Sequence, residues 1–266
     1  NHLAVNFICK HHQPMPGGQL QDSPESLLAV NRGSMDPPTF TVLEYKAYRP
    51  KNKKPIVLVG KGVVYDTGGL SLKPTLNSMD MMKCDMSGAA AVCASLLAIA
   101  EMKLQVSIEA WAPLAENMVS ENATRPSDII KIYGGKTVEV LNPDAEGRLI
   151  LADALMRAQE FNKNLDAIID VATLTGAQVV ALGTRTSAAM TNNEELLDKF
   201  LSAAKNSGEQ FWPMPLPEEL RASLDSPVAD IANIGERMGG MLVAGLFLRE
   251  FVSIPWLHLD IAGPAF

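Results

Sequence analysis

Pro55-Ile56-Val57-Leu58-Val59-Gly60-Lys61-Gly62 decides how the rest of the chain is read. A short, mostly β-branched apolar run between a proline and a pair of glycines is typical of a strand buried on both faces. The glycine-rich stretch Gly60 to Gly69 leaves that strand as a loop, and the apolar tract Ser87 to Met102 then reads as a helix. Working outward, Val106 to Ala112, Lys136 to Leu141, Ala167 to Val171 and Trp256 to Ile261 read as strands. Between them, Ala145 to Phe161, Glu194 to Lys205 and Met241 to Phe251 carry helical spacing, as in Leu149, Ala152, Leu155 and Met156. Alternation of this kind predicts an α/β fold, a three-layer sandwich with a central mixed, mostly parallel sheet flanked by helices.

Upstream, residues 1–54 are punctuated by Pro14, Pro16, Gly17, Gly18, Pro24, Pro37 and Pro38, with one short helix expected over Ser23 to Val30. We read them as a segment or linker packed on the main domain, which spans 55–266. No internal repeat or low-complexity segment interrupts that domain.

Composition narrows the function classes. With 47% hydrophobic and 20% charged residues, the 266-residue chain can bury a core without disulfide or metal staples. Its net charge of −7 disfavours a nucleic-acid partner held by a broadly basic surface. Cys9, Cys84 and Cys93 are odd in number and form no CxxC pair, which fits a reducing, cytoplasmic setting. Leu3 to Cys9 lacks a basic leader, so no signal peptide is read there. The quiet run Gly88 to Ala100 is too short to span a bilayer. Because the first residue is Asn1, we expect the native N-terminus to lie upstream.

Three strand-to-helix transitions carry the chemistry-bearing residues. In Asn142-Pro143-Asp144-Ala145-Glu146-Gly147-Arg148-Leu149, Pro143 keeps Asn142 extended, and Asp144 and Glu146 fall at the start of the next helix. There the helix dipole would keep both carboxylates ionised, able to bind a cation or simply to cap. Asp66, in Tyr65-Asp66-Thr67-Gly68-Gly69, can close an Asx-turn onto Gly68, and Lys73 follows in the same loop. The loop lacks the GxxxxGK[ST] pattern, so it is no phosphate-cradling loop. Asp85 can cap the apolar helix that follows it, and Met79, Met81, Met82 and Met86 read as core filler. Each of these residues has an ordinary structural role available. Together they place four acidic residues and two lysines at transitions that converge on one edge of an open α/β sheet. None of His2, His11, His12 and His258 forms a zinc pair, so a metal site here must be carboxylate-rich. His11 and His12 read as exposed loop and His258 as a strand residue near the core.

These blocks resemble those of the cytosol (leucyl) aminopeptidases: Val59 to Gly62 with Tyr65 to Gly69 and Lys73, Met82 to Ala90, and Asn142 to Leu149. Ala172-Thr173-Leu174-Thr175-Gly176-Ala177 and Trp256-Leu257-His258-Leu259-Asp260-Ile261-Ala262-Gly263 follow in the same order. The resemblance runs from about Leu27 to the end of the chain. It implies a zinc-exopeptidase-like fold and two divalent ions, Mn²⁺ or Zn²⁺. Lys61, Asp66, Asp85 and Glu146 would hold the tighter ion, and Asp66, Asp144 and Glu146 the more exchangeable one. It further implies that Lys73 stabilises an oxyanion and that Arg148 holds a bicarbonate serving as general base. Met82, Thr173, Leu174 and Gly176 would line the substrate pocket. The implied reaction removes the N-terminal residue of a peptide, Leu and other hydrophobic residues foremost, by attack of metal-activated hydroxide; the implied assembly is a homohexamer.

Departures from the family pattern are few. Pro143 stands where Thr is more usual, and one extra residue lies between Lys73 and Asp85. The family's N-terminal domain has no counterpart here, and the family usually continues beyond Phe266, so we expect a fragment or a cleaved, partly ordered chain. A second reading, a DNA-binding or structural protein on the same scaffold, is disfavoured by the −7 charge. A pseudoenzyme is disfavoured because no ligand position is substituted.

Overall fold

The computed structural model describes residues 8–12 and 25–265. In chain order the elements are β1 (Ile8–His12), α1 (Glu25–Val30), β2 (Thr39–Lys46), β3 (Ile56–Gly60), β4 (Gly62–Asp66) and α2 (Ser87–Glu101). There follow β5 (Ser107–Asn117), β6 (Asp128–Lys131), β7 (Thr137–Val140), α3 (Gly147–Phe161), β8 (Ala167–Ala172), α4 (Gly176–Leu182) and β9 (Ser187–Thr191). The chain closes with α5 (Glu194–Ser207), β10 (Phe211–Pro213), β11 (Ile231–Ala232), α6 (Gly240–Arg249), β12 (Trp256–Asp260) and α7 (Ala262–Ala265).

Nine strands form the main sheet in the order β1-β2-β5-β3-β8-β12-β9-β10, with β4 pairing β5 off that path. The central strands β5, β3, β8 and β12 run parallel. Antiparallel pairings join β2 to β5 and β9 to β12. The sheet is thus mixed and mostly parallel, as expected. A second, three-stranded sheet, β11-β7-β6, holds the strand read from Lys136.

Period-2 alternation sends neighbouring residues to opposite faces. Val57, Val59 and Trp111 join the core under α3 and α6, with Leu151, Leu155, Phe247 and Trp256. Ile56, Leu58, Ile108 and Ala110 face α2 through Val92 and Leu96. Farther along that face, Leu197 of α5 packs on Leu257 and Leu259. These are the three layers, and each fully buried large side chain contributes about 2 kcal/mol. By length and composition the helical run Met79–Glu101 could cross a membrane. Its α2 part instead buries Val92, Leu96 and Ala100 against the sheet, as a core helix does.

Several local expectations are corrected. The turn-rich reading of the N-terminal region missed β2, an eight-residue strand paired to both β1 and β5. His11 and His12, expected in a loop, lie in β1. The stretch 62–66, expected as loop, is β4, which continues alongside β5 after Lys61 interrupts the line of β3. β5 does not stop at Ala112 but runs through Pro113 to Asn117. Pro113 lacks an N–H, yet it falls between the part of β5 that pairs with β3, up to Trp111, and the part that pairs with β4, from Leu114. The break in the neighbour at Lys61 is what accommodates it. Helix α1 is described from Glu25; the expected start at Ser23 and Pro24 lies outside the described residues, as do 1–7, the rest of 13–24, and 266.

Candidate metal centre and substrate cleft

The line of β3 ends at Lys61, whose N–H donates to Val171 O (3.0 Å) and whose carbonyl accepts from Ala89 N (2.8 Å). These bonds lock Lys61 between β8 and the start of α2. The helix starts come this close only because they carry no side chain. A Cβ on Gly88 would strike the Val171 carbonyl, and one on Gly147 would sit 2.5 Å from Lys61 Cε. The Lys61 ammonium is buried and lies 2.9 Å from both Asp85 Oδ1 and Glu146 Oε1. It also donates to Thr173 O at 2.9 Å.

Asp66 ends β4 and is buried. Its Oδ1 accepts from Gly68 N (2.8 Å), closing the Asx-turn read from the sequence, and from Asn117 Nδ2 (2.8 Å). Gly68 and Gly69 follow at φ +84° and +59°, where a side chain would be strained. The turn carries Lys73 back over the site, its ammonium 2.9 Å from Asp66 Oδ2 and in contact with Asp144 Oδ1.

Two capping expectations fail. Asp85 does not cap α2: Met86 occupies that position without a side-chain bond, and Asp85 instead accepts from Thr173 Oγ1 (2.7 Å). Asp144 does not cap α3; its own N–H donates to Asn142 Oδ1 (2.9 Å), and Glu146 stands at the N-cap making no cap bond. Both carboxylates are therefore released from helix-end duty and turned toward the two lysines.

Electrostatically the site is over-supplied with buried carboxylate. Burial, then Asp66 nearby, pushes Glu146 up to about 8, against the pull of Lys61. Burial likewise raises Asp85 to about 6. Burial alone would depress the Lys61 ammonium, but Asp85, Glu146 and Asp66 reverse this and hold it above the usual lysine range. Lys73 is raised in the same way by Asp66, Glu146 and Asp144. Asp85 Oδ2 and Glu146 Oε2 are buried with no hydrogen-bond partner. Oxygens of Asp66, Asp144 and Glu146 lie within 4.8 Å of one another. Partnerless buried carboxylate oxygens are costly unless a cation meets them, and an all-oxygen cluster suits a divalent ion. The donor set fits the metal pair that the motif blocks imply.

Beside this cluster opens a cleft of about 630 Å³, lined by Met82, Thr173, Leu174, Gly176, Lys73 and Arg148 among others. Met81 and Met82, read as core filler, are on its wall. Arg148 is buried; Nη1 donates to Asn233 O (2.7 Å), while Nε has no partner. Burial lowers its pKa to about 10, which leaves it cationic at neutral pH. The structure thus brings Lys61, Asp66, Lys73, Asp85, Asp144, Glu146, Arg148 and the pocket residues to one place, at the C-terminal ends of parallel strands.

Three supporting residues escaped the sequence reading. Asn117 bridges Asp66 and Pro143 O (3.1 Å). Asn233 accepts from Leu141 N (2.8 Å) and Asn142 N (3.2 Å), fixing the approach to Asp144. Asp260 holds the turn after β8. No local pattern marks the asparagines, and Asp260, although it falls in a family block, is given no role by the sequence reading. His258 is the buried strand residue expected, its Nδ1 2.5 Å from Asp170 Oδ1.

Comparison with known proteins bears on the fold and the family. The sequence profile of the cytosol aminopeptidase family, catalytic domain, matches residues 19–266. A probable cytosol aminopeptidase of Streptomyces coelicolor is 58% identical over 242 residues, covering 90% of this chain and 46% of the relative. One from Nocardia farcinica is 53% identical over 243 residues, covering 90% and 47%. Among solved structures, the bottromycin maturation enzyme BotP superposes with a TM-score of 0.88 at 42% identity, over 98% of this chain and 55% of that one. The chain spans about half the length of the curated relatives it matches. On its motifs, sheet and site together, the chain belongs to the cytosol aminopeptidase family and carries that family's catalytic domain.

Proposed function

We propose that residues 55–266, with the preceding segment packed on them, act as a metal-dependent aminopeptidase domain that removes hydrophobic N-terminal residues, leucine foremost. The observation that carries the reading is the pair of partnerless buried oxygens, Asp85 Oδ2 and Glu146 Oε2, facing a cluster of further carboxylates. Lys61, as the neutral amine that two adjacent cations would favour over the ammonium, would with Asp66, Asp85 and Glu146 hold one divalent ion; Asp66, Asp144 and Glu146 would hold the other, Mn²⁺ or Zn²⁺. When bound, such ions supply Lewis acidity toward the scissile carbonyl and toward water at neutral pH.

The chain's own groups supply the rest. Lys73 stays charged beside the cluster, so its ammonium can stabilise negative charge as it develops on the carbonyl oxygen. Arg148 offers an unpartnered Nε–H and a persistent positive charge, which suits it to hold bicarbonate as the general base. Met82, Leu174 and Gly176 would enclose the first side chain of the substrate while the cleft stays open for the peptide. The working protein is proposed to be a cytoplasmic homohexamer.

Calorimetric titration with Mn²⁺, beside leucyl-anilide hydrolysis, tests this. Two ions should bind per chain, and Lys73→Ala should abolish turnover with the fold unchanged. A folded, ion-loaded chain without activity would overturn the proposal.

A further inference from the structure

Asp260, at the end of β12, has no solvent exposure. Its Oδ1 accepts from Leu174 N (3.1 Å) and Ala262 N (3.2 Å), and its Oδ2 from Thr175 Oγ1 (2.8 Å). The Thr175 hydroxyl in turn accepts from Gln178 N (3.0 Å), capping α4. The other side of the same turn meets the cluster of Lys61 and carboxylates. Thr173 O accepts from Lys61 Nζ (2.9 Å), and Thr173 Oγ1 donates to Asp85 Oδ1 (2.7 Å). Three consecutive residues therefore connect a buried carboxylate to two of the proposed ligands.

We propose that Asp260 is a positioning residue: it fixes the turn Thr173 to Thr175, so that Thr173 holds Lys61 and Asp85 and the cleft wall at Leu174 and Thr175 keeps its shape. This rests on the aminopeptidase reading above. A carboxylate as buried as Asp260 is costly and demands hydrogen bonds from its surroundings. Here the donors come from the turn that carries the site, which makes the turn rigid where ligand orientation needs it. Burial is also the leading cause that raises the Asp260 carboxyl above its ordinary range. The Thr175 hydroxyl carries one arm of the link and also caps α4, while Leu174 N carries the other arm, so the two ends are cut separately, at Asp260 and at Thr175.

The test compares Asp260→Asn, Thr175→Val and Thr175→Ser with wild type by Mn²⁺ calorimetry and by leucyl-anilide kinetics at saturating Mn²⁺. Asp260→Asn and Thr175→Val should weaken the tighter Mn²⁺ site about tenfold, the scale on which losing a group that orients a ligand is felt. KM should rise more than kcat falls, and Thr175→Ser should restore both to within twofold of wild type. Mn²⁺ affinity and KM within twofold of wild type in both Asp260→Asn and Thr175→Val, whatever their melting temperatures, would reduce Asp260 to a structural role and overturn the proposal. A wild-type chain that bound no Mn²⁺ would remove the aminopeptidase reading and this role with it.

Discussion

Glu146 and Asp153 lie about two turns apart along α3, both buried, both raised above the ordinary carboxylate range by burial. Their surroundings are opposite. Asp153 is spent on backbone: Oδ2 accepts from Leu27 N (2.9 Å) and Oδ1 from Tyr133 N (2.8 Å), tying α1 and the β6–β7 turn to the helix. Glu146 Oε2 has no partner, and its Oε1 meets only the Lys61 ammonium. Burial is equal in the two cases, so burial does not mark the functional carboxylate. Unmet hydrogen-bonding capacity does, because folding would not retain that cost for stability alone.

Glu146→Gln should break the comparison most visibly. Turnover should fall ~1000-fold, about 4 kcal/mol of lost transition-state stabilisation. Chelator-treated protein should melt no lower than wild type. The raised Glu146 carboxyl means its charged form opposes folding as pH climbs toward about 8, and the amide removes that charge. A melting temperature well below wild type would make Glu146 a structural residue like Asp153.

Asp153→Ala is the mirror experiment. Two buried N–H groups lose their acceptor and a small void opens, so chemical denaturation should show about 3 kcal/mol of lost stability. Activity per folded molecule should stay within twofold, since neither Asp153 nor its partners Leu27 and Tyr133 line the cleft. The pH dependence carries a sign. Because the folded-state pKa is raised from 3.8 to about 6, the group favours folding most at low pH and loses that contribution as pH rises across this window. The deficit of the variant should therefore be larger at pH 4 than at pH 7. A deficit that grew with pH would show that the charged form is the stabilising one.

The same contrast between local pattern and distant partner governs what is legible in the amino-acid sequence. Strands β3, β8 and β12 and helices α2, α3 and α5 are legible because apolar periodicity and burial coincide there. β4 is not: its glycine and the interruption at Lys61 disguise a strand whose pairing is supplied by distant β5. The ligand positions stand out as motif blocks, yet the local logic of caps assigns Asp85 and Asp144 to helix ends that neither serves. Local propensity loses to the attraction of the buried Lys61 ammonium and the half-buried Lys73 ammonium. Asn117 and Asn233 leave no trace, because single amides acquire meaning only through partners brought by the fold.

Asn117 gives the smallest effect and the sharpest use of the comparison, since it sits between the two kinds of residue. Its amide satisfies Asp66 Oδ1 as Leu27 N satisfies Asp153, but Asp66 must still offer oxygen to a cation. Asn117→Ala leaves Asp66 Oδ1 with Gly68 N alone and leaves Pro143 O without this donor. The Asp66 carboxylate can then rotate, and Mn²⁺ affinity should fall about tenfold, with activity recovering as Mn²⁺ is raised. Calorimetry checks the affinity and a Mn²⁺ titration of turnover checks the recovery. If stability fell by more than about 2 kcal/mol while Mn²⁺ affinity held, a scale set by a lost buried hydrogen bond, Asn117 would belong with Asp153. The boundary between framework and site would then run through Asp66 itself.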